Sequence, residues 1–159
     1  MNMPLFAPTS TAAKGPAGIR PETTLKVTRG VCRLLRDMGY SPLTEFPLKN
    51  KRRVDVIGLD RGGRFLVAEV KSSPEDYRAD GKWRDYLEFC DEFYFAVPDG
   101  FPIDALPADC GIIVADAFQG AILRAAPVSK MNGTRRKIQI LRYARRAANR
   151  LHGFYDAGE

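Results

Sequence analysis

RRVDVIGLDRGGRFLVAEVKSS, residues 52–73, reads as two β-strands joined by a glycine turn, with Asp55, Glu69 and Lys71 set inside otherwise apolar runs. Residues 54–59 and 65–70 are rich in Val, Ile and Phe, and the DRGGR between them has the composition of a hairpin loop. Side chains alternate along a strand, so Phe65, Val67, Glu69 and Lys71 share one face, and Asp55 shares its face with Ile57 and Leu59. Matching the apolar positions across the hairpin pairs Leu59 with Phe65 and Ile57 with Val67, a register centred on Gly62. The same register sets Asp55 opposite Glu69. Residues so paired have Cβ atoms about 4.5–5.5 Å apart, where like charges are destabilising. A divalent cation is the natural compensator. Two carboxylates at that separation are hard oxygen ligands suited to Mg²⁺ (or Mn²⁺), with waters and a substrate phosphate completing the shell. Lys71, on the same side, is placed to position a water or to stabilise charge developing on a phosphoryl oxygen. The plainer alternative is a charged strand end, with Glu69 and Lys71 exposed and Asp55 paired to Arg52 or Arg53.

Upstream, Val27, Val31, Leu34, Leu35 and Met38 recur at helical spacing over residues 21–38, Pro21 and Glu22 suit a first turn, and Gly39 ends the helix. YSPLTEFPL, residues 40–48, holds two prolines and is restricted to a short or edge strand. Downstream, SSPEDYRAD reads as a polar loop, after which Trp83, Tyr86, Leu87 and Cys90 mark one helix face. EFYFAVP is a further buried strand, DGFPIDALPADC a loop with one turn of helix, and GIIVAD and AILRAAP are two last short strands. Residues 134–151 form a helix with Ile138, Leu141, Ala144, Ala148 and Leu151 along one side. The fold class expected is α/β, a mixed sheet flanked by helices. It occupies residues 21–153 as a single domain, between a flexible tail at 1–20 and a short tail at 154–159.

With 159 residues, of which 45% are hydrophobic, the chain is sized to bury one core and leaves little room for a second. Lys and Arg number 25 against 19 Asp and Glu, net +6, a balance that suits a polyanionic partner without proving one. Cys32, Cys90 and Cys110 form no C-x-x-C pair, which argues against a disulfide framework or a thiolate zinc site and for buried, reduced thiols. His152 stands alone, which counts against His-dependent triads and His-rich metal sites. The first twenty residues lack the basic and apolar regions of a signal peptide, and no run reaches the roughly 18 apolar residues of a membrane span. A cytoplasmic protein with no membrane association is expected.

Helix, weak strand, Asp-bearing strand, E-x-K strand, helix, strand resembles the αβββαβ core of the PD-(D/E)xK nucleases, the restriction-endonuclease-like fold, with Val54-Asp55 and Glu69-Val70-Lys71 in the motif positions. The proline that often precedes the aspartate is absent. More narrowly, RRVDVIGL, EVKSSPEDYRADGKWRDYLEFCDEFYFAV, GIIVAD and RRKIQILRYARRAANRLH resemble the bacterial MmcB family, described as DNA-repair related, over nearly all of residues 28–152. The resemblance implies a nuclease-like fold acting on DNA, with extra strands and a helix after the core. It also implies Asp55 and Glu69 as Mg²⁺ (or Mn²⁺) ligands and Lys71 as the water-positioning or electrostatic catalyst. Glu45, on the weak strand, and Glu22, on the first helix, are further candidate ligands; a solvent-facing role stands beside each. Lys82 is either an additional polar group of the site and a DNA contact or part of a helix N-terminus capped by Asp80, with Trp83 in the core.

In TRRKIQILRYARRAANRLHGF, seven cations occur with no acidic residue between them. A helical wheel puts Ile138, Leu141, Ala148 and Leu151 on a docking stripe and Arg135, Arg142, Arg146 and Arg150 together on a more exposed face, as nucleic-acid contacts or as a solvated cationic helix. The leading expectation is a Mg²⁺-dependent DNA endo- or exonuclease of repair with DNA as partner and no small-molecule cofactor. Its rivals are a nuclease-fold protein that binds DNA or recruits a partner with little cleavage, and an RNA-processing enzyme using the same site. No RNA-binding signature favours the last. Protein partners are not legible.

Overall fold

The apolar runs pair as their two-residue period requires. The computed structural model describes residues 20–157 and contains α1 (Glu22–Asp37), β1 (Tyr40–Pro47), β2 (Arg53–Asp60), β3 (Phe65–Val70), α2 (Pro74–Ala79), β4 (Glu92–Val97), β5 (Gly111–Ala115), β6 (Gly120–Arg124) and α3 (Gly133–Asp156), with short 3₁₀ helices at Trp83–Phe89 and Ile103–Ala105. Among the described residues six strands form one sheet in the order β1-β2-β3-β4-β5-β6. β1–β2, β2–β3 and β5–β6 are antiparallel, while β3–β4 and β4–β5 are parallel, so the sheet is mixed. The hairpin register is the expected one, Ile57 opposite Val67 and Leu59 opposite Phe65. The tail expected at residues 1–20 lies outside the described residues except for Arg20, and α3 continues past Gly153 to Asp156.

Both faces of the sheet centre are covered, which is why all six residues of β3 are buried. On one face α1 packs Val27, Val31 and Leu35 against Val56, Leu66, Ala68 and Ile113. On the other, Phe65, Val67, Phe93, Phe95 and Ile112 meet Trp83, Tyr86 and Phe89 from the 3₁₀ segment and Tyr143 from α3. Trp83 lies 5.4 Å from the ring of Phe93 and 5.4 Å from that of Phe95, a core residue as its sequence position suggests. The three cysteines are buried.

Three local expectations are corrected. SSPEDYRAD is not all loop, because Ser73 accepts the Asp76 N–H and Pro74 occupies the first turn, which together start α2. Trp83–Phe89 is 3₁₀ rather than α-helical, so Trp83, Tyr86 and Phe89, three apart, share the buried side while Leu87 is exposed. The stripe expected to dock α3 faces solvent: Ile138, Leu141, Ala148 and Leu151 are all exposed. The docked side carries Gln139 and Tyr143, with the half-buried Arg136, Arg142, Arg146 and Arg150. The reason is what α3 lies against. Edge strand β1 and the hairpin end offer carbonyls beside the Phe46 and Phe65 rings that receive Tyr143. Tyr143 donates to Ser41 O, Arg142 to Pro47 O, Arg150 to Glu45 O and Arg136 to Gly63 O.

Candidate active site

The hairpin ladder stops one residue short of the carboxylates. Val56 opposite Ala68 is the last regular pair, and beyond it the Asp55 N–H points to Glu69 Oε2 at 3.4 Å while Asp55 Oδ2 accepts the Val70 N–H at 2.8 Å. Side chains thus replace the ladder where like charges would otherwise face each other. On the other flank the pairs Thr44–Val56 and Phe46–Val54 put Glu45 level with Asp55. Glu45 has φ 50°, the left-handed region that a non-glycine residue adopts at a cost of about 1–3 kcal/mol. That break in β1 sits at the acid row. Glu45, Asp55 and Glu69 therefore stand level across three adjacent strands.

Arg20 and Lys71 lie against these acids. Arg20, just ahead of α1, places Nη2 2.6 Å from Glu45 Oε1 and 3.1 Å from Asp55 Oδ1. Lys71 places Nζ 2.6 Å from Asp80 Oδ2 and 3.8 Å from Glu69 Oε1. Glu69 and Lys71 are 6% and 3% exposed, which excludes the exposed strand end. Nor does Asp55 pair with Arg52, which holds Asp85 at 3.0 Å. Burial, and then the charge of Asp55, push the Glu69 carboxyl well above its ordinary range. Burial also raises Asp55, against the opposing pull of Arg20 and the Val70 N–H. Burial disfavours the charged form of Lys71, but Glu69 and the hydrogen bond to Asp80 outweigh it and raise the ammonium above its ordinary value. Lys71 is a fixed positive charge at neutral pH.

The other sequence candidates sort by position. Glu22 is exposed and bound to Lys26 at 2.6 Å, outside the site. The Lys82 side chain is exposed, and its backbone N–H donates to Asp80 Oδ1 at 3.1 Å. Arg142, Arg146 and Arg150 turn towards β1 and the acid row rather than outwards, contrary to the expected exposed face. Arg135 lines a groove of about 440 Å³ with Lys49, Asn50, Phe89, Asn132 and Arg142. The sequence does not single out Arg20 or Asp80 as members of the site. Asp80 carries a signal, nine residues after Lys71, but reads equally as a helix cap.

Glu45, Asp55 and Glu69 suit a hard cation by donor chemistry, and Glu45 and Asp55 already converge on one cation, the Arg20 guanidinium. Among the described residues no three Asp, Glu, His or Cys side chains are grouped so that they could hold a metal ion. Two carboxylates are what Mg²⁺ commonly takes from a protein, the rest of its shell being water and phosphate. The donor set fits on those terms.

A family model described as DNA repair protein MmcB-like matches residues 12–158. The chain belongs to this family. The resemblance to the MmcB family, made specific by the DGKWRDYLEFCD segment, is thereby borne out. Among solved structures, a protein of unknown function from Silicibacter pomeroyi is 41% identical, with TM-score 0.82, over 89% of this chain and 97% of that one. A repair endonuclease from Pyrococcus abyssi is 21% identical over 52% of this chain and 40% of that one, with TM-score 0.35, too slight a superposition to bear on the site. No curated protein matches the chain. Among the described residues no helix is long and apolar enough to cross a membrane.

Proposed function

We propose that the chain is a metal-dependent DNA nuclease of repair, with Asp55 and Glu69 as the two carboxylate ligands of Mg²⁺ (or Mn²⁺) and Lys71 as electrostatic catalyst. The observation that carries this reading is the level row of three carboxylates across β1, β2 and β3 with a buried ammonium at its end. The bound cation would lower the pKa of a water and polarise the phosphoryl oxygen. Asp80 fixes the Lys71 head group at 2.6 Å and keeps it protonated, so that its remaining N–H bonds point a full charge at whatever enters beside Glu69. Half-buried Asp55 accepts the Val70 N–H at 2.8 Å, and buried Glu69 faces the Asp55 N–H at 3.4 Å, so backbone donors steer both carboxylates towards the site. Reduced, buried thiols suit work in the cytoplasm.

The test is a cleavage panel over duplex, single-stranded, nicked and branched DNA with Mg²⁺, Mn²⁺ or EDTA. Asp55→Ala and Glu69→Ala should each abolish both cleavage and the thermal stabilisation by Mn²⁺. Lys71→Ala should leave Mn²⁺ binding in place and slow cleavage by about 10²–10³. One observation favours a second reading, a nuclease-fold protein that binds DNA without cutting it: Arg20 already neutralises Glu45 and Asp55. Wild-type protein that binds DNA but cleaves no form of it with either metal would establish that reading in place of the first.

A further inference from the structure

α3 turns one row of its arginines inward, and at one of them the inward turn is left unanswered. Arg142, Arg146 and Arg150 are four apart and so form one row on the helix. Arg142 and Arg150 spend one N–H each on the carbonyls of Pro47 and Glu45. Arg146 has no hydrogen-bond or ion-pair partner among the described residues, and its Nε, like that of Arg142, is buried without an acceptor. Arg53, at the start of β2, and Arg150 lie close enough to Arg146 for its charge to act on both. Glu45 is itself taken by Arg20 at 2.6 Å. The Arg146 guanidinium, with Arg53 and Arg150 beside it, is thus a positive charge in a half-buried place with no acceptor among the described residues. Proteins do not bury donors of that strength without an acceptor unless one arrives. An oxyanion with several lone pairs is the acceptor that fits planar, forked donors.

We propose that Arg146, flanked by Arg53 and Arg150, seats a DNA backbone phosphate beside the acid row, and that the groove at Arg135 and Arg142 carries the same strand onward along α3. The seat deepens the nuclease reading, since it would hold a phosphate neighbouring the scissile one, yet it needs no cleavage to be real. A phosphate contact of this kind fixes the strand without reading its sequence.

Binding of a short fluorescein-labelled oligonucleotide, single-stranded and duplex, measured by anisotropy in EDTA at several salt concentrations, decides the matter. Arg146→Gln should weaken binding by roughly tenfold or more on every sequence and flatten the slope of log K against log salt by roughly 0.7–0.9. Arg146→Lys should keep the slope and recover part of the affinity. Arg145→Gln, on the exposed outer face of α3, should change neither. Because Arg146 has no hydrogen-bond or ion-pair partner to lose among the described residues, Arg146→Gln should melt at or above the wild-type temperature, whereas a structural arginine would melt lower. Unchanged DNA affinity in Arg146→Gln, or an equal loss in Arg145→Gln, overturns the seat. Loss of affinity in Arg146→Gln from a wild type that never cleaves DNA leaves the seat standing and removes only the nuclease reading.

Discussion

Arg20 stands at the acid row where a metal ion would, its guanidinium joining Glu45 and Asp55. Its Nη2 reaches both carboxylates, so a divalent cation must displace or share it. Arg20→Ala should therefore raise Mn²⁺ affinity by roughly tenfold, the effect of relieving one charge-assisted contact, as read by titration calorimetry; unchanged or weaker binding would place the metal away from Glu45 and Asp55. Asp55, Glu69 and Lys71 were legible because strand alternation and the match of Ile57 to Val67 fix which face and which rung each occupies. Arg20 was not legible. It meets Asp55 from 35 residues away, across a packing of α1 on the sheet that no periodicity encodes.

At the scale of elements, α1 shows how close approach decides what its sequence can hold. A Cβ at Gly30 would lie 2.1 Å from Asp116 O and 2.5 Å from Gln119 O, backbone of the β5–β6 turn that cannot step aside. Gly30→Ala should cost about 1–3 kcal/mol in urea unfolding despite alanine's better helix propensity. Gly153→Ala is the matched control. Nothing lies within 4 Å of its Cβ position in α3, and alanine there should stabilise by up to about 1 kcal/mol. Opposite signs are expected, and equal signs would mean that propensity rather than packing governs α1. The same distinction explains where the reading of elements failed. Apolar spacing located α3 but not its docked side, because the surface it meets is a strand edge whose carbonyls select Arg and Tyr over Ile and Leu. Spacing likewise cannot separate 3₁₀ from α over seven residues, since Trp83, Tyr86, Leu87 and Cys90 satisfy one period and Trp83, Tyr86 and Phe89 the other.

For the molecule as a whole, one buried carboxylate ties the hairpin, the strand β4 and α3 together. Asp91 accepts the Phe65 N–H at 2.8 Å, the Met131 N–H at 3.0 Å and two bonds from Arg136 at 2.7 and 2.6 Å, while its own N–H and carbonyl bond Phe65 O and the Ser129 N–H. It holds α3, and with it the arginine row and the groove, in place over the acid row. Burial alone would raise this carboxyl, but Arg136 and the two backbone donors outweigh it and hold the pKa down to about 2, from an ordinary 3.8. A folded-state value below the unfolded one means stabilisation that is fully present above about pH 4 and is lost as pH falls through about 2, on the order of 2 kcal/mol in all. Asp91→Asn keeps the shape and removes the charge. Its stability deficit against the wild type, from urea unfolding followed by circular dichroism, should be constant between pH 7 and pH 5. It should then shrink steadily as pH falls from about 4 towards 2, as the wild type loses the same interaction by protonation. Added salt should change that deficit little, because the pair is largely shielded from solvent, with Asp91 4% and Arg136 18% exposed. A deficit that stays level down to pH 2 would mean that Asp91 holds the three parts together by shape and neutral hydrogen bonds, with no contribution from its charge.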